Sequence, residues 1–380
     1  MKKIIMTGLG LALCASAAHA ENSVTLYGIV DEGIDFTTNT NGQQNYEMQS
    51  GYASGSRWGI KGQEDLGNGV AAIFNLENGF DVNSGASTIG GRMFGRQAFV
   101  GLQSDKFGSV TFGRQYDSVV DYLAPLTANG WYSGYLFSHP YDNDNTDNTF
   151  RVNNAIKYAS PSIAGLTFGG VYGFSNVAGG FANNRLLSIG AAFSSGAFSA
   201  AAAYMDINNV GANTGGAVAT NDASFYADHQ RVYGAGLSYV LGSTTFGFVY
   251  TDSLLENPSG NAYVGGTFNV AGNSSLRFDN FEVNVKHDFS PSFFVQAMYT
   301  YTLGRYSTGT GTSHPKWHQA GVTFDYLLSK RTDVYLQGTF QQVADGETGT
   351  FLDDAFITGA DGSSSSSRQI VVRAAIRHSF

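Results

Sequence analysis

The chain has 380 residues, a formal charge of −9, 42% hydrophobic residues, 14% aromatic ones and only 13% charged ones. So acidic a chain lacks the basic footprint of a nucleic-acid binder. So few charges also set it apart from a soluble globule, in which about a quarter of the residues are charged.

The chain opens with Met1-Lys2-Lys3, runs apolar from Ile4 to about Ala18 and then reads Ala18-His19-Ala20. A positive start, a short apolar core and a small-x-small site are the parts of a secretory signal peptide, and the apolar core is too short for a transmembrane helix. Residues 1–20 are read as that signal, with cleavage after Ala20. A lipoprotein start at Cys14 is the alternative, but a small residue belongs before such a Cys and Leu13 is bulky. Losing Lys2 and Lys3 takes the formal charge from −9 to −11, and losing Cys14 leaves no thiol for disulfides or catalysis. No run of 18 or more apolar residues follows, so helical membrane spans are excluded.

From residue 23 onward the pattern has period two, the signature of strands. Strands are predicted near 23–36, 55–65, 69–80, 94–103, 108–116 and 151–160. In the second, Arg57, Lys61 and Gln63 alternate with Trp58 and Ile60; in the sixth, Arg151, Asn153 and Lys157 alternate with Val152, Ile156 and Tyr158. The Gly/Ala-rich region that follows carries strands near 165–174, 185–194 and 197–207 with muddled alternation. Clearer ones follow near 231–240, 244–254, 276–289, 292–303, 316–327, 332–342 and 368–380. There Phe281, Val283 and Val285 oppose Glu282, Asn284 and Lys286, and Val334, Leu336 and Phe340 oppose Asp333, Gln337 and Thr339. Tight turns such as Ser160-Pro161-Ser162 and Ser290-Pro291-Ser292 alternate with long Gly/Asn/Ser/Thr stretches at 37–55, 81–93, 118–150, 208–230, 253–274, 304–316 and 343–367.

Short turn, strand, long loop, strand is the layout of a transmembrane antiparallel β-barrel, here of about 16 strands, with 14 or 18 left open by the Gly/Ala-rich region. A barrel of that size encloses water rather than a packed interior. Trp58, Tyr27, Tyr158, Tyr326 and Phe380 are candidates for its aromatic girdles, and His318 and His378 fall on the lipid side near strand ends.

Five segments in order carry a resemblance: Ser23–Gly28, Ser56–Gly67, Arg96–Leu102, Phe107–Gln115 and Ile376–Phe380. Together they resemble the general diffusion porins of Gram-negative outer membranes, of the β-proteobacterial type. The resemblance implies an all-β, 16-stranded barrel over residues 21–380, a homotrimer, and a third extracellular loop, about 117–150, folded into the lumen. It implies a water-filled channel for small hydrophilic solutes and ions, set in outer-membrane lipid and lipopolysaccharide, with no cofactor. It also implies that Phe380 is read by the barrel-assembly machinery.

Carried over by position, the constriction wall is Arg57, Arg96, Arg114 and Arg151, with Lys61 beside them by parity. Alternation supports Arg57 and Arg151. Arg96 and Arg114 share parity with lipid-facing residues, so each needs a bulge to turn inward. The candidate acids facing them are Asp117 and Asp121, with Asp142, Asp144 and Asp147 further along. Four arginines against two acids lean towards a weak anion preference. Asp142–Asp147 has the composition of a calcium loop but not the Gly and distal Glu that an EF-hand needs, and no His pairing suggests zinc. The rival readings are a substrate-specific channel, a barrel enzyme and an inert envelope anchor.

Overall fold

The computed structural model describes residues 22–268 and 273–380; the signal segment read at 1–20 lies outside them. Sixteen antiparallel strands close into a barrel. In chain order they are β1 (Ser23–Thr40), β2 (two segments, Gln43–Ser50 and Arg57–Gly67), β3 (Val70–Gly79), β4 (Gln97–Ser104) and β5 (Gly108–Gln115). Then come β6 (Val152–Ala159), β7 (Leu166–Gly173), β8 (Leu186–Ser195), β9 (Phe198–Val210), β10 (Phe225–Leu241) and β11 (Thr244–Glu256). The last five are β12 (Ser275–Ser290), β13 (Phe293–Thr308), β14 (Lys316–Leu327), β15 (Thr332–Ala344) and β16 (Arg368–Ser379).

Each strand pairs with its neighbours in sequence, as hairpins dictate, and β16 returns to β1 from Ile29↔Ser379 to Thr37↔Val371. Gly28 and Phe380 then exchange hydrogen bonds of 3.1 and 3.0 Å, which zips the seam to the last residue. With the seam closed, the strand backbones pair within the sheet, the condition for crossing a bilayer, and Gln43–Ser50 pairs with β1. No helix among the described residues is long and apolar enough to cross a membrane.

Alternation sorts the side chains as period two requires. Val283, Phe324 and Leu336 stand on the outer face at 51, 43 and 49% exposure, while Glu282, Gln296, Gln319 and Gln337 point inward and are buried. What buries these polar residues is the loop of residues 116–151 between β5 and β6. It lies inside the barrel as a chain of short helical turns from Val119 to Asp142. The inner faces of β10–β15 pin it through hydrogen bonds from Ala128 N–H to Glu282 (2.8 Å), Ser133 Oγ to Gln296 (2.7 Å), Gln337 Nε2 to Ser133 O (2.8 Å) and Gln319 Nε2 to Ser138 O (2.9 Å). An apolar cluster of Leu136, Phe137, Tyr141, Phe225, Phe278 and Trp317 seals the loop's upper part against the wall. The open lumen is thereby displaced towards β1–β6.

Several strands extend beyond their sequence-predicted bounds, two of them furthest into predicted loops. The first segment of β2, Gln43–Ser50, falls within the predicted loop 37–55, and β10 starts at Phe225 rather than near 231. The Gln43–Ser50 extension is mostly polar, so hydropathy does not mark it, whereas the β10 extension opens with Phe225-Tyr226-Ala227 inside a Gly/Asn-rich stretch; each pairs with a neighbour that rises with it. The break in β2 at 51–56 has its own cause. Gly51 takes a positive φ of 82°, and Ser56 Oγ bonds both the N–H and the carbonyl of Asp31, which carries Tyr52 into the lumen. There the Tyr52 carbonyl accepts from Tyr135 N–H of the inner loop at 3.0 Å.

Candidate pore constriction

The wall opposite the inner loop is built from β2–β6. Arg57 is the first residue of the lower segment of β2. It donates from Nε to the Gly55 carbonyl (2.9 Å) and has no carboxylate partner among the described residues. Lys61, two pleats further down on the same face, is exposed and stands 5.3 Å over the Tyr27 ring. Arg96 lies just before β4, where alternation has not yet begun. Its N–H bonds the Glu77 carbonyl, so its side chain is free to turn inward and pair with the Glu77 carboxylate at 2.8 Å. Its Nη2 donates to the Tyr116 hydroxyl at 3.0 Å.

Arg114 escapes the lipid side by another route. Gly113 adopts φ +134°, and the β5–β6 register shifts between Gly113 and Gln115. Arg114 then reaches Gly95 O (2.6 Å), the Asn153 side chain (2.5 Å) and Asp222 of the β9–β10 loop (2.7 Å). Arg151 is fully buried just above β6, its guanidinium 5.5 Å from the Tyr116 ring and bonded to Thr149 O and Asn148. Like Arg57, it has no ion pair among the described residues. Arg57, Arg96 and Arg151 thus converge around Tyr116, while Arg114 stands to one side.

Across the gap, a cavity of about 230 Å³ is bounded by Arg57, Arg96, Tyr116, Gly130, Tyr135 and Asp147. Asp117 and Asp121 do not meet the arginines there. Asp117 caps the first turn of the inner loop, accepting from Val119 N–H and from Asn145 (both 2.7 Å), and its burial pushes its carboxyl up to about 6. Asp121 forms an ion pair with Lys157 of β6. The acid on the gap is Asp147, pushed upward by burial and then by the neighbouring Asp142 carboxylate. Asp142 is itself tied to Thr149 and the Asp147 N–H, so 142–147 is a self-bonded turn. No group of three or more metal-ligating side chains occurs among the described residues.

One histidine bolts this turn to the wall. His139 Nδ1 meets Asp144 at 2.6 Å and Nε2 meets Glu282 of β12 at 3.3 Å, all three fully buried. Burial alone would lower the imidazole, but Asp144 and Glu282 together outweigh it and raise it to about 10. Asp144 is held down in return, burial being outweighed by the His139 charge.

Tyr27 corrects a girdle expectation: it points into the lumen and donates to Glu77 (2.8 Å) and Asn75 (2.9 Å). It shares parity with Asp31 and Asp35, so alternation along β1 carries that signal. The same parity marks a cluster absent from the sequence-derived site. Arg373 of β16 bridges Asp31 (3.1 Å) and Asp35 (2.8 Å), donates from Nε to the Tyr335 hydroxyl oxygen at 2.8 Å and lies 4.7 Å from the Tyr52 ring. Arg377 pairs with Asp333 at 3.0 Å. The lumen is therefore lined by charge on both walls, and on the β16 side both arginines are held in ion pairs, Arg373 with Asp31 and Asp35 and Arg377 with Asp325 and Asp333.

The Gram-negative porin family matches residues 8–346 of the chain. The chain is 31% identical to an outer membrane porin protein of Bordetella pertussis, over 93% of this chain and 97% of the relative. It is 28% identical to outer membrane porin protein 32 of Delftia acidovorans across the full length of both. Among solved structures, an anion-selective porin from Comamonas acidovorans superposes with a TM-score of 0.70 at 23% identity, over 95% of this chain and all of that one. That last likeness is one of fold.

Proposed function

The chain belongs to the Gram-negative porin family, and from that premise we propose how its lumen selects what passes. It is an outer-membrane porin, a water-filled channel for passive diffusion of small hydrophilic solutes and ions. Its relatives are porins rather than enzymes, and our reading is of a pore with no chemistry of its own. Porins of this family are generally trimeric. For this chain we propose a homotrimer in lipid and lipopolysaccharide, exported on the leader 1–20 and inserted by machinery that reads Phe380.

The loop 117–150 is the constriction loop, and Arg57, Arg96, Arg114, Arg151 and Lys61 form the wall it faces. The observation that carries the reading is a local imbalance of charge. Glu77 neutralises Arg96, Asp222 neutralises Arg114, and Asp121 is spent on Lys157. Arg57 and Arg151 have no carboxylate partner among the described residues, while the acid on the gap, Asp147, is pushed upward by burial. In a narrow water-filled passage with low-dielectric walls such an excess sets the field an ion meets. The lumen therefore prefers anions weakly, and the anion-selective porin of the same fold supports that sign.

A reversal potential across a planar bilayer in a KCl gradient tests this. The wild type should favour chloride modestly, and replacing Arg57 and Arg151 together by Ser should shift the potential towards potassium. Strong potassium preference in the wild type, or no shift in the double variant, removes the arginines from the field.

A further inference from the structure

Above the constriction the extracellular mouth holds a second cavity, of about 440 Å³, whose walls include Tyr52, Tyr135, Tyr263, Phe356, Ile89 and Thr358. That lies within the range of small-molecule sites, about 300–1,000 Å³. The rings come from separate elements: Tyr52 from the break in β2, Tyr135 from the inner loop, Tyr263 from the β11–β12 loop and Phe356 from the β15–β16 loop. Tyr263 and Phe356 stand 5.9 Å apart at 42°, and Tyr52 meets Tyr135 edge-on at 5.8 Å. Hydrogen bonds hold three of them as walls. Tyr52 donates to the Gly359 carbonyl, Tyr263 shares one with the Thr149 hydroxyl, and the backbone of Tyr135 is tied to Tyr52.

The position of this chamber matters as much as its lining. Tyr52 and Tyr135 also border the smaller cavity that contains Arg57 and Arg96. The two cavities share the Tyr52–Tyr135 pair as a wall, with aromatic faces on one side and, on the other, the Arg57 guanidinium, which lacks a carboxylate partner among the described residues. Aromatic walls offer nothing to a hydrated chloride. A solute with a flat apolar body and one carboxylate gains on both sides of the Tyr52–Tyr135 pair, through ring contacts above it and a charge-assisted hydrogen bond below.

We propose that the chamber is a recognition site for aromatic carboxylates, which it admits ahead of small aliphatic anions. This rests on the conducting lumen and arginine wall proposed above and names the class of solute they serve.

The test uses the folded full-length mature protein in a planar bilayer carrying chloride current, with benzoate, acetate or benzyl alcohol added on the long-loop side. Benzoate should reduce the current saturably, at concentrations roughly tenfold below those at which acetate or benzyl alcohol acts. Tyr263→Leu should raise the half-blocking benzoate concentration about two- to tenfold, and Tyr263→Phe, which keeps the ring, should stay near the wild type. Equal action of benzoate and acetate overturns the chamber, as does a Tyr263→Leu value equal to the wild type. Reversal potentials from the same membranes keep the two readings apart: anion preference without benzoate block sinks the chamber alone, and cation preference sinks the arginine field beneath it.

Discussion

Arg57 and Arg151 carry the same charge in different company. Arg57 borders the gap with a single hydrogen bond on its guanidinium, whereas Arg151 is buried against Tyr116 and bonded to the inner loop it follows. Arg57→Ser alone should therefore move the reversal potential further than Arg151→Ser alone. His139 acts on the loop rather than on the ion. Its imidazole, raised to about 10, binds a proton more tightly folded than unfolded. The stability it adds is fully present below its ordinary value near 6.5 and is lost as pH rises through about 10. Single-channel current should be quiet at neutral pH and noisier above about 10, as the loop loosens from Glu282. His139→Gln leaves Asp144 and Glu282 buried without their cation, a loss of about 3–5 kcal/mol in comparable pairs. It should bring that noise to neutral pH. Equal noise in the wild type at pH 7 and well above 10 would dismiss the bolt.

Two elements decide whether the barrel conducts and whether it forms. The inner loop fills the side of the lumen along β10–β15, so deleting about 125–147 should raise single-channel conductance. The ladder of sixteen strands does not depend on it, and the polar inner residues it covers, such as Gln296 and Gln337, would meet water instead. Unchanged conductance would place the narrowest section elsewhere. The other element is β16, whose last residue, Phe380, pairs with Gly28 across the seam. A Cβ at Gly28 would lie under 3.0 Å from the Phe380 ring, so only glycine lets that ring lie flat on β1. Deleting Phe380 should lower the amount of folded, heat-modifiable protein in the membrane, and Gly28→Val should do so by clashing with the same ring. Normal levels in both variants would mean that the seam closes without its terminal pair.

Across the whole molecule, the net charge and the proposed selectivity have opposite signs. Of the chain's 30 acidic residues twelve are buried among the described residues, including Glu77, Asp222 and Glu282, and charges more than about 8–10 Å from the gap are screened at physiological salt, so the gap senses its own wall. Raising KCl from about 0.1 to 1 M shortens that distance from roughly 10 to 3 Å, and the chloride preference should fall with it. A preference that holds unchanged at 1 M would point to steric selection rather than a field. The barrel itself was legible in the sequence, because period two is a local property: each strand's neighbours along the chain decide which face meets lipid. That is why Val283 or Leu336 could be turned outward, and Arg57 inward, from the chain alone. Alternation names the face of a strand, however, and not what covers it. That Gln296, Gln319 and Gln337 hold a loop rather than line water depends on contacts more than a hundred residues apart in sequence. Arg96 and Arg114 turned inward only through an irregular strand start and a glycine at φ +134°, breaks in the period that the period cannot announce. Which arginines found a carboxylate was likewise left to tertiary structure, since Glu77 and Asp222 reach Arg96 and Arg114 across strands and loops. Periodicity is written along the chain, but the pairing of charges is decided across it.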